Sequence, residues 1–366
     1  MILDLRRRIM RGELKPGERL PSHQALVERY EASLVTVQRA MHRLIEEGLV
    51  RSEARRGRFV AEHPPSLHRF ALALPGHPEP VHSPQWTRSL AAALVASRQL
   101  NDPRTCEWRP YFDVYRRTDD NDGAGYAELE RDAREHRLAG IFFPLPHELW
   151  DAPLLREPTI PTVVGTNPPA GCYPVVRYDR ERFVRRAVDH LVQLGRRRLA
   201  WVSLSKQSIE YVMTEVRSAG RAGAVTIPPE WIVPADPFHP DWLAHALGVM
   251  LDRPTAQRPE GLVVADDHLV EPVVAALADL GVAVPDDLAV VGHWNWPLRY
   301  GGSLPVHLIG FDARAQLEAA ARLIRTGETV THWLAPLTQA EFEQRGGVTV
   351  PLTASEGASL ISSHGS

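Results

Sequence analysis

The sequence predicts a multidomain protein, in which a small α+β module of short helices and one hairpin precedes a larger α/β part built on parallel sheets. Three observations carry this. A chain of 366 residues exceeds one ordinary hydrophobic core. Beyond residue 67, short apolar strands alternate with helices of about 10 to 15 residues, the pattern of doubly wound sheets. Charge is also divided: residues 1–65 hold 13 Lys and Arg against 9 Asp and Glu, a balance of +4, while the remainder holds 29 against 36, a balance of −7. A basic module is joined to an acidic body.

Composition narrows the class. At 44% apolar and 24% charged residues the chain reads as a soluble globular protein. No run of about 18 apolar residues exists, so no membrane span is expected. The start is charged from Asp4 to Arg8 and lacks an apolar signal core. Only Cys106 and Cys172 occur, which argues against a disulfide framework or a thiolate metal site and fits a reducing cytoplasm.

In the first module, Ile2, Leu5, Ile9 and Met10 recur at helical spacing, with Arg6, Arg7 and Arg8 on the other side and Gly12 at the end. Pro16 and Gly17 make a turn, and Ser22 stands as cap for a two-turn helix expected to bury Ala25, Leu26 and Tyr30. Ser33 caps a longer helix whose apolar face is Val37, Ala40, Met41, Leu44 and Ile45, leaving Val35, Thr36, Gln38, Arg39 and His42 pointing away. Gly48 closes it. Leu49 to Arg51 and Arg58 to Val60 then read as strands around a basic turn, Ala54 to Gly57.

A short helix, a tight turn, a longer helix and a basic hairpin suit duplex DNA, because the second helix can enter a major groove while the first crosses the phosphates. This module, over residues 2–62, resembles the winged helix-turn-helix of GntR-type bacterial regulators. IMRGELKPGERLPS, ASLVTVQRAMHRLIEEGLV and RRGRFV carry the resemblance in order and at the family's spacing. The groove candidates are Ser22, Gln24, Ser33, Leu34, Thr36, Gln38 and Arg39, with Arg56, Gly57 and Arg58 on the wing. Where many members of that family carry arginines, Gln24, Leu34 and Gln38 stand here; glutamine pairs with adenine where arginine prefers guanine, so a different operator is expected.

His63 to Ser66, HPPS, reads as a stiff linker that breaks helix and strand alike. The larger part spans residues 67–350, and residues 351–366 read as a flexible tail. Strands are expected at Phe70 to Pro75, Leu138 to Pro144, Ile160 to Thr166, Arg198 to Leu204, Glu260 to Asp266 and Leu288 to Trp294. In such sheets ligands bind at the carboxyl ends of strands.

DHLVQLGRRRLAWVS at Asp189 to Ser203, the stretch from Pro259 to Asn295 and FDARAQLEAAARLI at Phe311 to Ile324 resemble the LacI-type repressors and their periplasmic sugar-binding relatives. The resemblance implies a periplasmic-binding-protein-like sensor of two α/β subdomains with a small sugar or nucleoside-like effector in the cleft between them. Carried over residue by residue, it implicates Asp179 and Asp266, and Trp294 where that family has an aspartate, followed by Asn295. Strand-end residues Trp86, His147 and Ser205 complete the effector candidates. Trp242, Trp296, His268 and His293 fit ordinary packing or exposure better.

No G-x-S-x-G, P-loop, H-E-x-x-H or G-x-G-x-x-G stands at a strand-to-helix turn, so no catalytic residue or cofactor is expected. Asp266 and Asp267 are adjacent carboxylates, but neighbours at a strand end usually point apart, so no metal site is expected either. The reading is a DNA-binding regulator, a repressor controlled by a small molecule, acting as a homodimer on a double-stranded operator without a membrane. The alternative is a solute-sensing module acting through protein partners, with a degenerate DNA-binding domain.

Overall fold

The computed structural model describes residues 1–10, 12–76, 88–115, 124–146, 149–169, 173–204, 209–218, 223–236 and 239–351. Two compact units are formed, one by Met1–His77, Ala96–Val176 and Leu317–His332, the other by Pro78–Val95, Arg177–Gln316 and Trp333–Ser366.

The first unit begins with α1 (Ile2–Met10), α2 (His23–Tyr30) and α3 (Leu34–Glu46). A hairpin follows, β1 (Val50–Glu53) and β2 (Gly57–Val60), antiparallel with Val50 opposite Val60 and Glu53 opposite Gly57. Leu5, Ile9, Leu14, Leu20, Leu26, Val37, Met41, Leu44, Leu49, Val50 and Val60 make one small core. The expected caps form, Ser22 accepting from the Ala25 amide and Ser33 from the Thr36 amide, each at 3.2 Å. Two expectations fail. Ala25 is exposed, because so short a helix turns only Leu26 fully inward. Arg6, expected on the side away from the apolar residues, is 1% exposed, its guanidinium paired with Glu47 and donating to the Glu135 carbonyl at 2.7 Å.

The linker is also different. Pro65–His68 is a helical turn, α4, and Pro64, Ser66 and His68 are buried. Proline breaks a helix only from inside; at its first position the missing N–H has no partner to lose and the fixed φ is already helical.

The sheet of this unit runs through β3 (Arg69–Ala73), α5 (Arg88–Gln99), β4 (Glu107–Tyr111), α6 (Ala124–Arg134), β5 (Gly140–Phe143), α7 (Pro153–Arg156), β6 (Thr162–Val164) and β7 (Val175–Tyr178). The chain continues through α8 (Arg180–Gln193), β8 (Leu199–Leu204), α9 (Ile209–Ser218), β9 (Ile232–Ala235), α10 (Pro240–Leu251), β10 (Gly261–Val264), α11 (Val270–Asp279), β11 (Ala289–Trp296), β12 (His307–Asp312) and α12 (Ala313–Thr326). It ends with β13 (Thr331–Leu334), β14 (Leu337–Thr338) and α13 (Gln339–Gln344). The two six-stranded sheets have the orders β13-β7-β6-β5-β3-β4 and β14-β12-β11-β10-β8-β9. In the second of these sheets β8 to β12 pair in parallel, and β14 runs antiparallel to β12.

Strands β4 and β9 were not legible in the sequence because they lie at sheet edges. There EWRPY and IVPA can carry charge and proline without breaking a ladder. The interior strand β12 was missed for another reason: Gly310 interrupts its apolar run. That glycine is required, since a Cβ there would fall 1.2 Å from the Trp294 carbonyl oxygen.

Candidate nucleic-acid interface and ligand site

Helix α3 presents Ser33, Leu34, Val35, Thr36, Gln38, Arg39 and His42 to solvent on the face opposite its core stripe. Leu34 is 50% and Val35 62% exposed, which is costly in water and becomes useful against the methyl groups of a groove. The hydroxyls of Ser33 and Thr36 lie 2.8 Å apart, so they reach a partner as a pair. Ser22 and Gln24 are exposed at the start of α2.

The wing turns tightly, with Arg55 at φ 63° and Gly57 at φ 113°. Arg51 and Arg56 sit over the Phe59 ring at 5.1 and 5.8 Å. Arg56 is 74% exposed and pairs with Glu53 at 2.7 Å, a surface contact that a phosphate can displace. Arg58 is half-buried beside His23, whose protonation is held down by burial and then by that guanidinium. Arg19, absent from the candidates, lies against the turn: its Nε would be 3.2 Å from a Cβ at Gly57. Only the chain reversal through residues 14–20 brings it to the wing.

In the other unit the carboxyl ends of β8, β10 and β11 gather a second set of side chains. Just past β10, the turn at residues 265–268 brings both carboxylates onto one ring: Asp266 Oδ1 lies 2.8 Å and Asp267 Oδ1 3.4 Å from His268 Nδ1. The expectation that the two carboxylates diverge is therefore wrong, because they stand beyond the strand, where the two-residue alternation no longer operates. Burial raises the Asp266 pKa, but the bond and charge of His268 outweigh it and hold the carboxyl below its ordinary value. Asn295 Nδ2 donates to Asp267 Oδ2 at 2.5 Å. Around these lie buried polar atoms with no hydrogen-bond partner: Ser203 Oγ on β8, and Asn295 Oδ1 and both ring nitrogens of His293 on β11. Burial is the main cause that holds the His293 pKa below its ordinary value.

The other effector candidates fare differently. Asp179 caps α8, accepting from the Arg182 amide at 2.9 Å. Trp294 is fully buried, its indole N–H donating to the Leu298 carbonyl at 2.7 Å and its ring lying under Arg88 at 5.0 Å, so it presents no open face. Trp296 stacks on Phe342, while Trp242 is 49% exposed. Trp86, His147 and Ser205 lie outside the described residues. Sequence reasoning left Ser203 out of the effector candidates and set Asp267, His268 and His293 aside, although their positions at strand ends marked the region.

Residues 2–60 match the bacterial regulatory proteins of the gntR family, and residues 188–323 match a periplasmic binding protein-like domain. The chain joins a gntR-type regulatory domain to a periplasmic-binding-protein-like domain. The mannosyl-D-glycerate transport/metabolism system repressor MngR of Escherichia coli is 38% identical over 68 residues, which are 19% of this chain and 28% of that repressor. The arabinose metabolism transcriptional repressor of Geobacillus stearothermophilus is 23% identical over 298 residues, 78% of each chain. Among solved structures, a LacI-family regulatory protein from Chloroflexus aggregans superposes with a TM-score of 0.52 at 16% identity, over 75% of this chain and 96% of that one. A LacI-family regulator from Lactobacillus casei with bound glucose gives 0.51 at 15%, over 74% and 98%. These likenesses establish the fold. The relatives are regulators, and no helix among the described residues is long and apolar enough to cross a membrane.

Proposed function

We propose that the protein is a cytoplasmic repressor whose gntR-type domain binds a pseudo-palindromic operator as a homodimer and is controlled by a small carbohydrate at the carboxyl ends of β8, β10 and β11. One observation supports the ligand reading above others: unpartnered polar atoms of Ser203, His293 and Asn295, beside Asp266 and Asp267, are buried where such sheets bind ligands. Buried polar atoms cost stability unless a partner arrives, and the hydroxyls of a sugar are such partners. The names of the mannosyl-D-glycerate and arabinose repressors favour the same class of effector. Homodimerisation follows from the two-fold symmetry that paired recognition helices impose on their half-sites. The effector acts by binding the DNA-competent and DNA-incompetent states with different affinity, which sets the limit of its control.

Two measurements on the full chain test this. Operator affinity against salt is expected to fall with a steep slope and to depend on sequence; a slope near zero with no preferred sequence removes the DNA reading. In a thermal-shift screen of sugars and nucleosides, a true effector at a hundred times its Kd stabilises by about 2.7 kcal/mol. A screen in which no sugar stabilises the protein removes the carbohydrate.

A further inference from the structure

One donor atom from each of Asp266, Asp267 and His268 lies within 4.8 Å of the others. The separations from His268 Nδ1 are 2.8 and 3.4 Å. Ligand atoms about 2.1 Å from a common ion stand about 3.0 Å apart in neighbouring octahedral positions and about 3.4 Å apart in a tetrahedron. Three consecutive residues thus have the spacing of part of a coordination shell.

An imidazolium between two carboxylates has the same spacing, but it leaves a polar atom of Asn295 unsatisfied. The side chain is 1% exposed and set against Asp267, yet its Oδ1 is buried with no partner. A carboxamide oxygen is a donor to divalent cations. His293, on the same face of β11 two residues earlier and 8% exposed, likewise has both ring nitrogens buried without partners. Charge points the same way: the carboxylates of Asp266 and Asp267 together offer −2, which one divalent ion matches. A mixed oxygen and nitrogen set favours Mn²⁺, Fe²⁺ or Zn²⁺ over the all-oxygen preference of Ca²⁺ and Mg²⁺.

We propose that Asp266, Asp267 and His268, with Asn295 Oδ1 as a further donor, bind one divalent first-row transition-metal ion. The inference rests on the reading of this wall as a ligand site, and it adds an inorganic member to what that site takes.

The test uses the full-length protein after dialysis against a chelator. Mn²⁺ is titrated with the free ion followed by electron paramagnetic resonance, and Zn²⁺ by competition with a coloured chelator. One ion per chain is expected. Asp267→Asn and His268→Gln are expected to weaken binding about tenfold or more, with circular dichroism unchanged, while Asp279→Asn at the exposed end of α11 binds as the parent does. Asn295→Asp adds a carboxylate and is expected to bind Mn²⁺ more tightly and to gain more thermal stability from it. Absence of stoichiometric binding in the parent protein, or equal binding in Asp267→Asn and His268→Gln, overturns the inference; weaker binding by Asn295→Asp does the same. A sugar-induced thermal shift in the chelator-treated protein is a separate readout, so failure of the metal site and failure of the carbohydrate reading are told apart.

Discussion

On the proposed reading, Gln38 and Arg56 are expected to differ in what they do on DNA. The Gln38 amide, exposed on α3, can pair with a base edge, whereas Arg56 on the wing offers a charge to a phosphate. Gln38→Ala is expected to change which sequences bind best, by about 1 to 3 kcal/mol at the base it reads. Arg56→Ala is expected to weaken all sequences alike and to lower the salt slope by about 0.9; anisotropy titrations over an operator library at several salt concentrations separate the two. A titration effect belongs to His307. Its ring stacks on His190 at 3.5 Å, and burial, with help from His190 and Arg186, pushes its pKa from 6.5 down to about 4, against an opposing pull from Glu341. The unfolded chain therefore takes up this proton first as pH falls. Stability is full above 6.5 and declines toward about pH 4. His307→Phe keeps an aromatic stack without the titration, and its melting temperature is expected to fall less between pH 7 and pH 5 than that of the parent; identical pH profiles would refute this.

Helix α3 owes its start to Ser33, whose hydroxyl takes the Thr36 amide at 3.2 Å. Ser33→Ala is expected to cost about 1 kcal/mol in chemical denaturation and to loosen the exposed first turn. Strand β12 depends on the absence of a side chain. Gly310→Ala would drive a Cβ into backbone, at 1.2 Å from the Trp294 carbonyl oxygen, so the β11–β12 ladder is expected to open and the protein to be recovered insoluble or with a collapsed melting transition. Many of the helices and most interior apolar strands were legible in the sequence because their periodicity reports burial directly, as at Val37, Met41 and Leu44 on α3, whereas α6 and the interior strand β7 were not. The edge strands and β12 were not, since pairing partners, and not their own composition, make them strands.

The gntR-type domain belongs to the same compact unit as the first sheet, and an ion-pair network explains how. Arg6 on α1 pairs with Glu47 after α3 and donates to the Glu135 carbonyl beyond α6. Arg43 lies 3.1 Å from Glu47 and 3.4 Å from Glu135, and Arg137 lies 2.6 Å from Glu135. A buried guanidinium is stable only while these acceptors stay in place. Arg6→Ala is expected to destabilise this unit by up to about 3 kcal/mol. Glu135→Ala leaves Glu47 to hold Arg6, so operator binding is expected to survive while the effector changes operator affinity less than in the parent. Equal effector response in Glu135→Ala would show that the network is structural only.

The order of modules, the capped helices, the wing and most of the parallel strands follow from the linear sequence, because hydrophobic periodicity, caps and turn residues act over a few neighbours. The exposed face of α3 was legible for the same reason: once its apolar stripe is identified, Thr36, Gln38 and Arg39 must lie opposite it. Long-range pairing decided the rest. Arg6 finds Glu47 and Glu135 across 41 and 129 residues, Asn295 reaches Asp267 across 28, and the HPPS stretch, expected as a stiff linker, enters a helical turn with Pro64 and Ser66 buried. Those outcomes depend on which buried charge or amide meets which partner. The cost of leaving such groups unpaired is paid between residues far apart in sequence, where no local pattern records it.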